Sequence, residues 1–291
     1  MRRMTVRSLT SALLIGALAL WVAAARGGEG IAIKSDEKLA FMGDSITAAG
    51  WGSKLGYVRL IVSGLEANGV KAVPIPAGIS GHKSNDMLAR LEKDVLSKKP
   101  AWMTLSCGVN DVWHGAKGVP LEQYKKNITE IVDKCQAAGV KVMILTSTVI
   151  TEDVNSDNNK KLAEYNSFLR DLSKEKKCLL ADLNADMQAE LAKGEQAGKK
   201  PGTMLTSDGV HMNVLGDMMM ARGVLKAFGL TDEDLKKAQE AWATTPEGVE
   251  TRCRLTLRQY LALDAAATAQ KKSVNDLLNE MVAKGLEALP K

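Results

Sequence analysis

The chain has 291 residues, of which 45% are hydrophobic and 25% charged, and this composition excludes collagenous and low-complexity proteins. Its 39 basic and 34 acidic residues give a net charge of +5. Without the three arginines among the first seven residues, 36 basic residues face the same 34 acidic ones, and the net charge is +2. So small a net positive charge excludes the strongly basic surface that is typical of proteins that bind nucleic acids or anionic lipids.

The first 25 residues have the layout of a secretory signal peptide. Arg2, Arg3 and Arg7 form a basic head, and residues 9–25 carry no charge and end in small residues. We expect cleavage near Ala25 and export to the periplasm or the medium, with no stable membrane association afterwards. An uncleaved anchor is the alternative, because the uncharged stretch is close to the shortest length that spans a bilayer.

Five apolar runs of strand character alternate with helix-like segments along the middle of the chain. Alternation of this kind predicts a parallel sheet with helices on both faces, and near-continuous apolar runs fit strands that are buried on both sides. The five predicted strands are residues 39–43, 70–75, 101–107, 140–147 and 178–183. The helix-like segments between them are residues 56–69, 84–99, 121–139 and 158–177.

After the fifth strand the sequence predicts helices to the end of the chain. An apolar helix is expected over 213–229, and a capped helix follows over 230–242, with Thr231 as its N-cap and Asp234 three residues later. Residues 244–291 read as a linker and a helical extension without recognisable chemistry, which we expect to pack on the main domain.

The four cysteines follow neither a disulfide framework nor a zinc pattern. Cys107, Cys135, Cys178 and Cys253 are separated by wide intervals. Export permits disulfides, and no pairing is favoured by the sequence.

The residues with chemical potential lie in loops that follow strands. FMGDSIT places Ser45 directly after the first strand, and SDGVH places Asp208 three residues before His211 near the end of the domain. A serine nucleophile needs a histidine base, and the histidine needs a carboxylate that fixes its tautomer. Gly81 and Asn110 follow the second and third strands and are candidates for stabilising an oxyanion. Taken singly, each of these residues also fits a structural turn role.

Taken together, the four segments resemble the sequence blocks of the SGNH, or GDSL-type, hydrolase family. FMGDSIT, GISGHKSNDMLARL, SCGVNDVWHG and SDGVHMNVLGDMMMA occur in that order across residues 38–229. The resemblance implies a three-layer, flavodoxin-like α/β/α sandwich with a five-stranded parallel sheet in the order 2-1-3-4-5. It also implies metal-free ester hydrolysis without a cofactor. On this basis we delimit a hydrolase domain at 30–243 and a C-terminal helical extension at 244–291.

The resemblance assigns roles residue by residue. Ser45 becomes the nucleophile, His211 the base and Asp208 the orienting acid. The Ser45 N–H, the Gly81 N–H and the Asn110 amide become the oxyanion donors. Gly78 remains an alternative to Gly81 as the source of the glycine N–H.

Further polar and aromatic residues lie beside these loops. Asp44, Trp51, Trp113 and His114 are expected as candidate substrate contacts, since an aromatic face can stack on a sugar ring. Asp44 could instead orient loops by hydrogen bonds, the tryptophans could be buried in packing, and His114 could be an exposed loop residue.

The leading expectation is an exported esterase acting on short-chain, acetyl esters of carbohydrates. A lysophospholipase or thioesterase acting on longer acyl chains is the first alternative. A non-catalytic protein that binds a carbohydrate or a partner on the same scaffold is the second, and a nucleotide-binding protein is disfavoured because GDSITAAGWG lacks the G-x-G-x-x-G pattern. The oligomeric state is left open.

Overall fold

A computed structural model of the chain describes residues 30–196, 204–246, 248–249 and 253–289. The predicted signal peptide lies outside these residues. The described residues fall into two compact units that divide between residues 247 and 248. None of the described helices is long and apolar enough to cross a membrane.

A five-stranded sheet forms the centre of the first unit, and all of its strands are parallel. Their order is β2-β1-β3-β4-β5, which confirms the fold class and the strand order that the family resemblance implies. The strands are β1 (Lys38–Gly43), β2 (Val73–Gly78), β3 (Trp102–Ser106), β4 (Lys141–Leu145) and β5 (Leu179–Ala181).

Helices cover both faces of this sheet. The helices of the first unit are α1 (Ser45–Gly52), α2 (Tyr57–Ala67), α3 (Ser84–Asp94), α4 (Val109–Trp113), α5 (Leu121–Ala137), α6 (Asp157–Glu175), α7 (Leu183–Gln196), α8 (Val214–Ala227) and α9 (Asp232–Ala243). One layer contains α2, α8 and α9 in mutual contact, and another contains α3, α5 and α6. The core between the layers is built from fully buried apolar side chains of β1, β3 and β4.

The edge strand β2 begins three residues later than the sequence predicts. Val73 is its first residue, and Pro74 and Pro76 lie within it. Proline cannot donate a ladder hydrogen bond, so a strand with two prolines is tolerated only at the edge of a sheet, where β2 lies.

The predicted cap of α9 is confirmed. Thr231 accepts a hydrogen bond from the Asp234 N–H, and the Asp234 carboxylate accepts from the Thr231 N–H, so the two form a capping box.

The second unit contains two helices, α10 (Leu257–Ala269) and α11 (Val274–Glu287). The sequence predicts helix throughout this region, and the structure breaks it at Gln270–Ser273, where Lys271 adopts a positive φ of 53°.

Candidate active site

Ser45 lies where β1 ends and α1 begins, at the edge of the sheet where the carboxyl ends of the parallel strands meet. Asp44 is the N-cap of α1, and its Oδ1 accepts the Ile46 N–H at 2.9 Å. A side chain at Gly43 would collide with the side chain of Thr47, so the turn into the helix needs glycine. As the first residue of the helix, Ser45 has a backbone N–H without an intrahelical acceptor.

His211 connects this serine to an acid. Its Nε2 lies 2.9 Å from the Ser45 Oγ, and its Nδ1 lies 2.7 Å from the Asp208 Oδ2. The other oxygen of Asp208 accepts the backbone N–H groups of Val210 and His211 at 2.9 and 2.8 Å. The acid therefore shapes the turn that carries the histidine and also orients its ring.

The charge on Asp208 is favoured by these bonds. Partial burial raises the pKa of Asp208, but the hydrogen bonds from the backbone and ring of His211 and from Val210 outweigh it, so the pKa lies below its ordinary value. An ionised partner keeps the proton of the imidazole on Nδ1 and leaves Nε2 as an acceptor for the serine proton.

Gly81 and Asn110, the two other residues expected as oxyanion donors, follow β2 and β3. Gly81 follows β2 in a turn, is exposed, and has a φ of +76° that favours glycine. Within the described ranges its N–H has no hydrogen-bond acceptor. Gly78, the alternative, ends β2, and a Cβ there would lie 2.7 Å from the Thr47 carbonyl carbon. Gly78 thus lets α1 approach the strand, whereas a Cβ at Gly81 would meet none of the described atoms within 4 Å.

The third predicted donor, Asn110, is buried in α4. Its amide nitrogen lies 3.3 Å from the Asp44 Oδ2 and 3.1 Å from the His82 carbonyl oxygen. The structure thus brings Ser45, Asp208 and His211 into one hydrogen-bonded chain, and a bond from Asn110 to the residue before the serine links the third loop to it.

The GDSL-like Lipase/Acylhydrolase family matches this chain over residues 41–218, which include every residue of this arrangement. The chain belongs to that family. An acetylxylan esterase from Geobacillus stearothermophilus is 29% identical over 218 residues, which span 68% of this chain and 96% of that enzyme. Esterase TesA from Pseudomonas aeruginosa is 34% identical over 110 residues, 38% of this chain and 53% of that esterase.

Solved structures of esterases share the fold of this GDSL-like hydrolase. The acetyl xylan esterase AlAXEase matches with a TM-score of 0.61 and 33% identity, covering 65% of this chain and 98% of its own. The acetylxylan esterase Axe2 from Geobacillus stearothermophilus matches with a TM-score of 0.62 and 28% identity over 69% and 98% of the two chains. Two variants of Axe2, in which alanine replaces a serine or an aspartate, are described as catalytic mutants. The present chain is accordingly a serine carboxylic ester hydrolase.

In this GDSL-like hydrolase Asp44 is a buried residue whose carboxylate bonds to two elements of the site. It is 2% exposed and bonds both the start of α1 and the Asn110 amide. Burial raises its pKa to about 6, although the Ile46 N–H and the charge of His211 act in the opposite direction. These contacts are the kind that the loop-orienting alternative for Asp44 predicts.

The other expected substrate contacts differ in how accessible they are. Trp113 is 47% exposed at the end of α4, and the ring of His114 packs edge-on to it. His114 Nε2 also donates to the Asn110 Oδ1 at 3.1 Å, so it fixes which end of that amide faces the site. Trp51 is only partly exposed, and the guanidinium of Arg59 lies 3.5 Å from the centre of its ring. The Trp51 face is therefore already occupied by a cation.

Glu152, which the sequence analysis did not identify, supports the loop that carries His211. It is 4% exposed, and its carboxylate accepts the backbone N–H groups of Met204, Leu205 and Thr206 at 2.7 to 2.9 Å. It also accepts the Thr206 hydroxyl at 2.8 Å. Charge-assisted bonds of this kind are stronger than neutral ones, so Glu152 anchors the chain just ahead of Asp208.

The residue before Glu152 reinforces this attachment. The Thr151 N–H donates to the Gly209 carbonyl at 2.7 Å, inside the turn between Asp208 and His211. Thr151 adopts a φ of 67°, a conformation that costs free energy for a β-branched residue.

Arg90 on α3 connects the strand ends beneath the site and was also missed. It is 9% exposed and donates to the carbonyl oxygens of Ala77 and Gly43 and to the His82 Nδ1, at 2.8 to 3.0 Å. Asp111 has a comparable role, since its Oδ1 accepts the Ser84 N–H and hydroxyl at 3.0 and 2.6 Å. Only the contacts, and no local pattern, identify Arg90.

Within the described ranges, no group of three or more His, Cys, Asp or Glu side chains is arranged to hold a metal ion.

Proposed function

We propose that this chain is an exported esterase that removes acetyl groups from carbohydrates through an acyl-enzyme formed on Ser45. The observation that carries the proposal is the chain of two short hydrogen bonds from Ser45 through His211 to Asp208. We assign the activity to residues 30–243. Export rests on the signal-peptide layout of residues 1–25.

In the proposed mechanism the Ser45 Oγ attacks the ester carbonyl carbon while His211 Nε2 takes its proton. Asp208 stabilises the imidazolium that forms. The carbonyl oxygen gains negative charge, which the Ser45 N–H, the Gly81 N–H and the Asn110 amide stabilise. His211 then protonates the departing alcohol, and the acyl group remains on Ser45. A water molecule that His211 deprotonates releases the acid in a second, similar step.

The Asn110 amide already bonds Asp44 in the free enzyme. At 3.3 Å this contact is longer than the usual hydrogen bond. An oxyanion would therefore compete only with this weak bond, while the bond to the His82 carbonyl and the bond from His114 hold the amide in place.

Support for a carbohydrate acetyl ester comes from relatives that match nearly their whole length to this chain and are named acetylxylan esterases. The exposed Trp113 beside the site adds a surface on which a sugar ring can stack. The longer-chain alternative has weaker support, because Esterase TesA matches over only 53% of its own length. The short Ser45–His211 distance disfavours a non-catalytic binding protein.

The test is hydrolysis of nitrophenyl esters with acyl chains of two to twelve carbons, together with acetate release from acetylated xylan and pectin. We expect the two-carbon ester to be the best substrate and acetate to be released from a polysaccharide. Ser45→Ala is the matched control and should lose both activities. A maximum at eight carbons or longer, without acetate release, would favour the longer-chain alternative and refute the proposed substrate class.

A further inference from the structure

The second unit of the chain leaves much of its apolar surface exposed. Among its described residues only Leu263, Ala267 and Leu277 are buried, where α10 contacts α11. Seven large apolar side chains on its two helices or just after α11 are 47% to 73% exposed, and we call them the hairpin surface: Leu257, Tyr260, Leu261, Met281, Val282, Leu286 and Leu289. A unit of about 40 residues with so small a core usually needs disulfides, metals or association with another chain for stability.

The exposed residues of α11 continue the stripe that packs against α10. In the first turns, Val274, Leu277 and Leu278 contact α10. The same apolar face continues at intervals of three and four residues through the remainder of α11, where Met281, Val282 and Leu286 are exposed. The helix α10 therefore covers only about half of the apolar face of α11.

Gly285 lies within this uncovered half of the stripe. Glycine inside a helix costs about 0.5–1 kcal/mol relative to alanine, so its presence calls for a reason. Within the described chain, a Cβ at Gly285 would meet no atom within 4 Å. A small residue flanked by Met281 and Leu286 forms a notch between two ridges, which suits the close approach of another helix.

We propose that the hairpin surface is an interface between two copies of this chain, with the α11 helices of the two copies crossing at Gly285. A two-fold interface brings the same patch of each copy together. The gap at Gly285 on one α11 helix can therefore receive the protruding side chains beside Gly285 on the other. The seven exposed residues together offer roughly 700 Å² of surface per copy, close to the roughly 800 Å² that each partner contributes to a stable interface of standard size. The proposal does not depend on the esterase activity.

The test is the mass in solution of the mature chain, residues 26–291, by light scattering at 5–50 μM. We expect twice the mass of one chain. Met281→Asp and Leu286→Asp should each weaken the dimer at least tenfold, because they place charge in the interface. Ala283→Asp is the matched control: it adds the same charge to the polar side of the same helix and should leave the dimer intact.

A further variant distinguishes close packing of the two α11 helices from nonspecific hydrophobic association. Gly285→Leu raises the helix propensity and the hydrophobicity of α11, yet it fills the notch, so we expect more helix and a weaker dimer. Hydrolysis of nitrophenyl acetate shows that the first unit is folded in every variant.

Three results would overturn the proposal. The first is a wild-type monomer at 50 μM, whether its surface is covered by the first unit or left for another protein or a lipid. The second is a dimer that survives both Met281→Asp and Leu286→Asp. The third is a dimer that Ala283→Asp disrupts as fully as they do, or that Gly285→Leu strengthens.

Discussion

At the residue scale, the orientation of the Asn110 amide depends on His114. The Nε2 of His114 donates to the amide oxygen, which leaves the amide nitrogen facing the site. In His114→Ala we expect kcat to fall about tenfold, the equivalent of one hydrogen bond of about 1.4 kcal/mol, with KM nearly unchanged. His114→Gln should recover much of the loss, because its amide can also donate.

Steady-state kinetics with nitrophenyl acetate checks this prediction. Trp113→Ala is the comparison, since a residue that stacks on sugar should raise KM for acetylated xylan and leave the small ester unaffected. An unchanged kcat in His114→Ala would show that Asn110 keeps its orientation without this bond.

Asp217 on α8 is a buried acid outside the catalytic chain, and we expect it to lower stability at neutral pH. It accepts the Tyr57 N–H at 2.8 Å, and burial raises its pKa to about 6 from 3.8. Between pH 4 and 6 the folded protein therefore binds more protons than the unfolded one, so this group's contribution to stability falls as the pH rises through that range.

Asp217→Asn keeps the acceptor and removes the charge. We expect it to raise the free energy of unfolding by up to about 2 kcal/mol at pH 8, with the gain disappearing near pH 4. Thermal unfolding across this pH range measures it. Asp171→Asn, at an exposed position, is the control and should change little. A gain that is equally large at pH 4 would refute the explanation.

At the scale of elements, the loop with Asp208 and His211 is held by the segment that follows β4. Glu152 accepts four hydrogen bonds from residues 204–206, one of them from the Thr206 hydroxyl. Glu152→Gln presents an NH₂ group to at least one of the backbone donors. We expect about 1–3 kcal/mol of lost stability, and a fall in kcat at temperatures well below unfolding because the loop shifts.

Thr206→Val tests the same attachment with less disturbance. It keeps the shape of the side chain and removes the hydroxyl that donates to Glu152 and accepts the Gly209 N–H. Kinetics at 25 °C and thermal unfolding should show the same pattern as Glu152→Gln at smaller amplitude. Loss of stability in both variants without any change in kcat would mean that Glu152 supports only the fold.

The sequence predicts the strands and the loops well because both depend on local signals. Apolar runs define β1, β3 and β4, and the residues that follow them meet at one sheet edge in any parallel α/β fold. The supports of the site depend on distant partners. Glu152 bonds residues more than 50 positions away, and Arg90 reaches Gly43 across 47 positions. Neither periodicity nor motif indicates such pairs.

At the scale of the whole molecule, the two units differ in the size of the apolar core that each one buries. The first unit buries a large apolar core between its helical layers, whereas three of the second unit's described side chains are buried. The helix-like pattern of residues 254–289 predicts the helices of the second unit but does not reveal how little they cover each other. Because the second unit buries so few apolar side chains, we expect two chains to associate.

The most direct test of the account is to identify the serine that carries the acyl group. A serine-directed fluorophosphonate should add one label to the mature chain, and peptide mass mapping should place it on Ser45. His211→Asn should be labelled at least 100-fold more slowly, since the proton acceptor is gone. A label on another serine, or full esterase activity in Ser45→Ala, would contradict the account.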